Sequence, residues 1–418
     1  MASKKKGMSL LWKISVGFVL GILLGVIMGP MVPNSPFLSG WIVPLLNAIG
    51  NIFLTLLKML IVPLVFSSIV VGAASIGDPK ALGRIGAKTI ALYLVTTAVA
   101  IAIGLALGNL MQPGVGMNIA GAVGEAKPSQ PLVDVLLGIF PSNPIDSLVK
   151  GNMLQIIVFA LFFGVAALFA GEKGRRAVAA FESIAEVMYS MTHIIMGLAP
   201  YGVFALIAVT ASKYGLSILA PFAKVIAAVY IGCALHAGLV YSGLVTAFCK
   251  RSPLWYFKGV QEASITAFVT RSSSGTLPIT IANVRDNLGV SEGISSFVLP
   301  LGATINMDGT ALYQGVCALF VAQAFGVPLD FGAQMSIIVT ATLASIGTAG
   351  VPGAGLIMLT LVLTSTGLPI EGIGLVAGID AVLDAARTCV NVTGDTAVCA
   401  VVAATEGETL TPNDRRPA

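Results

Sequence analysis

The sequence predicts an all-α polytopic membrane protein. Hydrophobic residues make up 56% of the 418 residues and charged residues only 10%, which is far from the composition of a water-soluble domain. The apolar runs between Ile14 and Thr405 are continuous, whereas the strands of a membrane barrel alternate apolar and polar residues. The 47 glycines also suit membrane helices, which approach one another closely through small residues.

Eight apolar segments are long enough to span a bilayer, since a helix needs about 20 residues to cross the hydrocarbon core. Basic residues cluster after the second, fourth and sixth segments, as at Lys80, Arg84 and Lys88, which predicts that both termini are cytoplasmic. The Gly- and Pro-rich stretch 112–131 is then an extracellular loop. The net charge of +4 reflects this topology and gives no reason to expect a nucleic-acid partner. The predicted spans are 14–31, 41–74, 90–111, 153–170, 178–211, 219–248, 294–325 and 373–405.

Two further stretches, 253–290 and 332–368, are apolar enough to enter the membrane but have Gly-, Ser- and Pro-rich centres where helices break. The orientation of the flanking spans requires each stretch to return to the side from which it entered, which predicts two re-entrant helical hairpins. Each hairpin precedes a spanning helix, so the pair forms inverted repeats. Broken elements in corresponding positions of inverted repeats indicate a transport site.

A polar stripe lies on one face of the last predicted span, because its members fall close together at about 100° per residue. Apolar residues flank the stripe on both sides, so it lies inside the bilayer. Each charge at that depth costs about 3 kcal/mol on insertion scales, and such residues mark an ion or substrate path. The stripe consists of Asp380, Asp384, Arg387, Thr388, Asn391 and Asp395.

The span before it is interrupted at Asn306–Thr310. Asp308 supplies a carboxylate there, Gly309 loosens the helix, and unwinding would free the carbonyl oxygens from Gly302 to Asn306, which are ligands that hard cations prefer. The serine run Ser272–Ser274 is open to two interpretations. It is either a flexible tip or a hairpin apex whose hydroxyls and free amides hold a carboxylate.

At these motifs the sequence resembles the dicarboxylate/amino acid:cation symporter family, as a prokaryotic glutamate/aspartate transporter homologue. The motifs Arg271–Pro278, Asn306–Thr310, Gly347–Gly355 and Asp384–Asp395 occur in the family's order. The resemblance implies the glutamate-transporter fold, with eight transmembrane helices and two hairpins, and a homotrimer in a bacterial plasma membrane. It also implies an elevator mechanism, in which a transport domain slides along a scaffold. The scaffold would be 1–75 and 132–218, and the transport domain 76–131 and 219–418.

The resemblance further implies an acidic amino acid substrate, aspartate or glutamate. Arg387 would hold the side-chain carboxylate with Thr310 and Gly355, a bidentate task that suits a guanidinium. Asp384 would bind the α-ammonium, and Asn391 the α-carboxylate. The full set of substrate-binding residues is Arg271, Ser272, Ser273, Thr310, Val351, Gly355, Asp384, Arg387, Thr388 and Asn391.

Sodium is the co-transported ion that the resemblance implies, with no organic cofactor. Three sodium sites carry over by position, and the tip 347–355 would be the gate that closes over substrate and ions. The ligands of the three sites are Asp395 with Gly302, Asn306 and Asn391; Thr304 with Ser345, Ile346 and Thr348; and Asp308 with Asn306, Thr96, Thr97 and Tyr93.

Several alternatives remain. Within the family, neutral amino acid exchangers lack the arginine at position 387 and C4-dicarboxylate carriers lack the aspartate at position 384; both residues are present here, which favours an acidic amino acid. Proton coupling competes with sodium coupling. An enzyme is not expected, because a serine protease needs a base near its nucleophile and the two histidines, His193 and His236, lie in other spans. We interpret both histidines as core or interface residues.

Overall fold

The structure is a computed structural model that describes residues 10–74, 82–117, 119, 138, 140–346, 348, 350 and 352–411, which form helices and connections without a strand. Most of the predicted extracellular loop 112–131 lies outside the described residues. The α-helices are α1 Leu10–Met28, α2 Val43–Ala74, α3 Ala87–Met111, α4 Pro144–Lys150, α5 Met153–Phe169, α6 Glu172–Gly197, α7 Ala199–Tyr214, α8 Leu219–Leu235, α9 Pro253–Thr270, α10 Ser273–Asp286, α11 Glu292–Ile305, α12 Asp308–Ala324, α13 Phe331–Ser345, α14 Ala354–Thr366, α15 Gly372–Ala377 and α16 Asp380–Thr405.

Four stretches of the described chain are helical, long and apolar enough to cross a membrane: Leu38–Ala74, Arg84–Met111, Ala199–Cys249 and Asp380–Thr405. The first two begin with π-helical turns before α2 and α3, and the third continues past α8 through further π-helical turns. The other apolar helices are shorter. The prediction of a helical membrane protein is therefore confirmed, whereas the number of spans stays a prediction.

The predicted fifth span, 178–211, is two helices rather than one. Helix α6 ends at Gly197, and α7 begins at Ala199 with Pro200 in its first turn. Proline lacks the N–H that a helix interior needs and its ring clashes with the preceding turn, so the chain breaks before it. The predicted last span, 373–405, is similarly divided at Gly378 and Ile379, between the short helix α15 and the long helix α16.

The helices pack as two groups. Helix α2 packs on α5, α6 and α7, and α1 packs along α7. In the second group α3 packs on α12, α8 and α13, while α16 packs on α8 to α12. The groups meet where α14 and α15 contact α2, where α15 contacts α7 and where α13 contacts α5. Helix α3 therefore belongs with the C-terminal half of the chain although the helices of the first group precede and follow it.

A row of glycines at four-residue spacing allows α1 to contact the backbone of α7. A Cβ added at Gly17, Gly21 or Gly25 of α1, or at Gly29 just after it, would come within 2.7 Å of a carbonyl oxygen of α7. Such close approach stabilises helix pairs in membranes, where packing replaces the hydrophobic driving force.

We expect Gly25→Ala to weaken this helix pair, because the new methyl group would lie 2.4 Å from the Ala208 carbonyl oxygen. Overpacking of this kind costs about 1–3 kcal/mol. The melting temperature of the purified protein should fall, while Gly197→Ala, at a helical glycine with no atom within 4 Å of the added carbon, should leave it unchanged. Equal melting temperatures for the two variants would contradict the packing role of the glycine row.

Both predicted hairpin stretches are pairs of helices that pack on each other across a break. Helices α9 and α10 are separated at Arg271 and Ser272, and α13 and α14 are separated by 346–353. The two breaks meet, because the Ser272 hydroxyl donates a hydrogen bond of 2.7 Å to the Gly350 carbonyl and the Ser274 amide donates to the same oxygen at 3.2 Å. The breaks thus come together beside the interruption between α11 and α12.

The chain after α16 runs across the end of the second group. Arg84, in the π-helical turn before α3, and Lys88, in the first turn of α3, both donate hydrogen bonds to the Glu406 carboxylate, and the Lys88 bond is 2.7 Å long. These hydrogen bonds lower the pKa of Glu406 below its ordinary value, so the ion pair persists at neutral pH. Further along, the Glu408 carboxylate accepts a 3.0 Å hydrogen bond from the Ser291 amide. The segment thereby joins α3, α11 and α16.

Candidate substrate and cation site

A cavity lies where the two hairpin breaks meet α12 and α16. Most of the predicted substrate-binding residues line it, and they come from four separate parts of the chain. The cavity is lined by Arg271, Ser273, Met307, Thr310, Thr348, Gly350, Ala354, Gly355, Asp384, Thr388 and Asn391.

Arg387 is almost fully buried, with 1% of its surface exposed, and its carboxylate and ring partners lie on α16 and α12. Its Nη1 lies 2.7 Å from Asp380 Oδ1, and its Nε lies 2.9 Å from Asp384 Oδ1. The guanidinium stacks on the Tyr313 ring at 4.4 Å. Two carboxylates and an aromatic face therefore hold the guanidinium in one orientation, as a buried charge requires.

Gly355 lies directly against this guanidinium. A Cβ added at Gly355 would be 2.6 Å from Arg387 Cζ. Gly355→Ala should displace the guanidinium and weaken binding of any ligand that Arg387 holds, by about tenfold if one charged hydrogen bond is lost. Equilibrium binding of aspartate measures this; Gly293→Ala, where the added carbon meets no atom within 4 Å, is the matched control. Unchanged binding by Gly355→Ala would contradict the arrangement.

Two predicted substrate residues, Ser272 and Arg387, are not among those that line the cavity, and Asn391 lines it with its side-chain oxygen already engaged. The Ser272 hydroxyl caps α10 by accepting a 3.0 Å hydrogen bond from the Gly275 amide, and it joins the two breaks. The Asn391 side-chain oxygen accepts hydrogen bonds from the Gly309 amide at 2.8 Å and the Thr310 amide at 3.3 Å, so it caps the first turn of α12. Val351 lies outside the described residues, as do 347 and 349 of the predicted gate.

The predicted ligands of one cation site converge on Asp308, which is fully buried. Its Oδ1 accepts hydrogen bonds from Thr97 Oγ1 at 2.6 Å and Thr96 Oγ1 at 3.3 Å. Thr96 Oγ1 also lies 3.5 Å from Asn306 Oδ1 and 3.2 Å from the Tyr93 carbonyl oxygen. Five oxygen atoms from α3 and the α11–α12 interruption thus lie together, and oxygen is the ligand atom that hard monovalent and divalent cations prefer.

The second predicted cation site, around Asp395, is also assembled in part. Asp395 Oδ1 accepts a 2.9 Å hydrogen bond from the Asn306 side chain, and Gly302 lies beside the carboxylate. The Gly302 carbonyl oxygen, predicted to be free, instead accepts the Asn306 amide at 2.8 Å, because α11 continues to Ile305 and the interruption covers only two residues. One lone pair of that carbonyl remains available.

The third predicted site lies where α13 meets the end of α11. The Ser345 hydroxyl donates a 3.2 Å hydrogen bond to the Ile305 carbonyl, which brings Ser345 beside Thr304. The Ser345 carbonyl accepts the Thr348 amide at 3.3 Å within the turn after α13. Within the described part of the chain no three His, Cys, Asp or Glu side chains are grouped to hold a metal, so these sites offer mainly hydroxyl, amide and carbonyl oxygens.

Sequence reasoning missed several partners of these residues. The interpretation of His236 as a packing residue overlooked its contact with Asp308, with His236 Nε2 3.2 Å from Asp308 Oδ2. It also missed Tyr241, whose hydroxyl donates to the same oxygen at 2.8 Å, and Tyr313 under Arg387. The i,i+7 spacing of Asp380 and Arg387 on one helix face was a usable signal for their ion pair. Nothing in the sequence pattern indicated the other three contacts.

This arrangement offers charged and polar groups that complement a small zwitterion with an extra carboxylate. The cavity borders both signs of charge, its walls come from two broken hairpins, and oxygen clusters suited to cations lie beside it. An all-helical chain that buries such a site is a membrane transporter of the secondary type.

Comparison with known proteins agrees with this class. The model of the sodium:dicarboxylate symporter family matches residues 10–405. A proton/sodium-glutamate symport protein of Geobacillus stearothermophilus is 38% identical over 96% of this chain and 95% of its own. A proton/glutamate-aspartate symporter of Escherichia coli is 39% identical, covering 94% and 92% of the two chains. A C4-dicarboxylate transport protein of Laribacter hongkongensis is 35% identical over 96% and 91%. The chain belongs to the sodium:dicarboxylate symporter family, whose members are symporters and not enzymes.

Proposed function

We propose that this protein takes up an acidic amino acid, aspartate or glutamate, together with sodium ions. The observation that carries the proposal is the buried Arg387, which is paired with Asp384, a residue that lines the cavity. A guanidinium and a carboxylate on one helix face match the side-chain carboxylate and the α-ammonium of one substrate molecule.

The remaining substrate contacts would come from the elements around the cavity. Thr310 and Gly355 border the guanidinium side, while Ser273 and Asn391 offer a hydroxyl and an amide for the α-carboxylate. Ser272 would act indirectly, through its hydrogen bond between the two breaks. Asp380 now holds Arg387 at 2.7 Å and would share it with the incoming carboxylate.

A C4-dicarboxylate is the second candidate substrate, because the Laribacter relative is named as a transporter of that class. Asp384 argues against it. A dicarboxylate has no ammonium, and its second carboxylate would meet the Asp384 carboxylate, which lines the same cavity. Like charges at such short range in a buried site are strongly unfavourable.

For the co-transported ion, the oxygen cluster around Asp308 favours sodium over a proton. Hydroxyl, amide and carbonyl oxygens serve a cation of this kind, whereas a proton needs only one acceptor. Proton coupling is the competing candidate, since the relatives named above include a proton/sodium-glutamate symport protein and a proton/glutamate-aspartate symporter.

The architecture that goes with this function has eight transmembrane helices and two re-entrant hairpins, in a homotrimer in the plasma membrane with cytoplasmic termini. Residues 1–75 and 132–218 would form the scaffold, and 76–131 and 219–418 the transport domain that moves as an elevator. The packing of α3 with the C-terminal helices supports this division, because α3 falls in the proposed transport domain with them.

Uptake of labelled aspartate into proteoliposomes tests the coupling. Sodium and proton gradients are imposed separately, at zero and at inside-negative membrane potential. We expect uptake with an inward sodium gradient and none with a proton gradient alone. Uptake that follows the proton gradient in the absence of sodium would replace sodium coupling with proton coupling, while leaving the substrate assignment intact.

A further inference from the structure

His236 is a buried polar residue without a role in the site as predicted from the sequence. It lies on the π-helical turn His236–Tyr241 that continues α8, and none of its surface is exposed. Its Nε2 lies 3.2 Å from Asp308 Oδ2, and the ring packs edge-on against Tyr241 with centroids 4.8 Å apart. Tyr241 itself donates a 2.8 Å hydrogen bond to the same carboxylate oxygen. Two rings from one turn therefore contact one oxygen atom of Asp308.

The two oxygen atoms of Asp308 have different surroundings. Oδ1 faces the hydroxyls of Thr96 and Thr97 in the oxygen cluster, whereas Oδ2 faces His236 and Tyr241. Because a carboxylate is planar and rigid, hydrogen bonds to Oδ2 fix the direction in which Oδ1 points. His236 and Tyr241 thus contact the Asp308 carboxylate on the side that faces away from the oxygen cluster.

The second ring nitrogen indicates that His236 is not simply a packing residue. His236 Nδ1 is buried and has no hydrogen-bond partner among the described residues, and buried polar atoms in folded proteins are nearly always paired. An apolar side chain would fill the same space without an unpaired nitrogen. The contact that balances this cost is the hydrogen bond from Nε2, which donates when the carboxylate is ionised.

We propose that His236 is a positioning residue for the co-transported cation: it donates from Nε2 to Asp308 Oδ2 and so aims Oδ1 at the oxygen cluster. This rests on the proposed sodium coupling. Partners of this kind, one bond removed from a metal ligand, typically change metal affinity by 10–100-fold when they are lost. His236 therefore determines how much sodium the protein needs, because its Nε2 contacts Asp308 and not a residue proposed to bind the amino acid.

Substitution of His236 by glutamine or asparagine distinguishes a hydrogen-bonding role from one that depends only on the volume of the side chain. The Nε2 of glutamine is as many bonds from the backbone as the histidine Nε2 and can donate from the same place. The Nδ2 of asparagine reaches only to the position of Nδ1, which contacts no partner here. His236→Gln should therefore preserve the contact with Asp308, whereas His236→Asn and His236→Leu should lose it.

The experiment measures aspartate binding to purified protein while sodium is varied, together with melting temperature. We expect His236→Asn and His236→Leu to raise the sodium concentration for half-maximal binding by about tenfold or more, and His236→Gln by less than about threefold. Aspartate affinity at saturating sodium should stay near that of the wild type in all three variants. If the leucine variant does not fold, the sodium requirements of the glutamine and asparagine variants are compared instead.

Two results would overturn the role of His236 but not the proposed sodium coupling. They are equal sodium requirements in the wild type and all variants, or a sodium requirement in His236→Gln as high as in His236→Asn. A loss of aspartate affinity at saturating sodium in every variant would also overturn it, because it would indicate general damage to the site. Wild-type protein that binds aspartate equally well without sodium would overturn the proposed sodium coupling itself, and the inference with it. The two failures are therefore distinguishable in one data set.

Discussion

Arg387→Ala should abolish high-affinity binding of aspartate. The variant removes the planar donor that would hold the side-chain carboxylate, and two hydrogen bonds to a charged group contribute about 3–6 kcal/mol, or about 10²–10⁴-fold in affinity. A neutral amino acid such as serine should lose far less, because it has no second carboxylate. Calorimetric titration of the purified variant with both ligands measures the difference.

The same substitution has a cost in stability that must be separated from binding. Without Arg387 the buried carboxylates of Asp380 and Asp384 lose their counter-ion, and breaking a buried pair costs about 3–5 kcal/mol. Adding Asp380→Asn to Arg387→Ala removes one excess charge and should recover melting temperature but not aspartate binding. Arg285→Ala removes a half-exposed arginine that is paired with Glu292, and it is the control for the loss of an arginine from an ion pair. Recovery of aspartate binding in the double variant would contradict the role of Arg387.

Asp308→Asn should have the second large effect, on the dependence of binding on sodium. Asparagine keeps the shape of the side chain but removes the only charge from the cluster of oxygen atoms around it. Ligand charge is a main determinant of cation affinity in oxygen sites. We expect half-maximal binding to need at least about tenfold more sodium, and the sodium titration to become less steep because one ion no longer binds.

Asp146→Asn is the matched control for this substitution. Asp146 is half-exposed and forms an i,i+4 ion pair with Lys150 at 2.9 Å, an interaction that contributes at most about 1 kcal/mol. It should leave the sodium titration unchanged. A wild-type sodium titration curve for Asp308→Asn would show that no cation binds beside Asp308, and would favour proton coupling over sodium coupling.

Much of the fold and the family could be predicted from the sequence, because membrane insertion imposes strong constraints. Continuous apolar runs predicted helices, the Gly- and Ser-rich centres predicted the breaks at Arg271 and after Ser345, and the motifs identified the family. Pro200 was a usable signal for the break between α6 and α7, since proline is favoured in the first turn of a helix, where its missing N–H has no partner to lose. The number of spans and the membrane sides of the hairpins stay predictions.

The contacts of the cation site were harder to predict from the sequence. His236 and Asp308 are 72 residues apart, and no motif joins them. The π-helical turns after Leu235 each add residues to a turn, so the faces of this helix no longer follow the regular 3.6-residue period. A pattern read from that period assigns residues beyond 236 to the wrong face. By contrast, the polar stripe on α16 has no such irregularity, and its residues lie together as the period predicts.

In the proposed function, one site recognises an ammonium and two carboxylates in the presence of sodium. This recognition is measured by equilibrium binding of aspartate, asparagine and succinate to the purified protein, with sodium and with choline in its place. We predict tight binding of aspartate in sodium, binding of asparagine and succinate weaker by at least about two orders of magnitude, and no tight binding in choline. Succinate binding as tight as aspartate binding, or aspartate binding that is unchanged when choline replaces sodium, would contradict the proposed function.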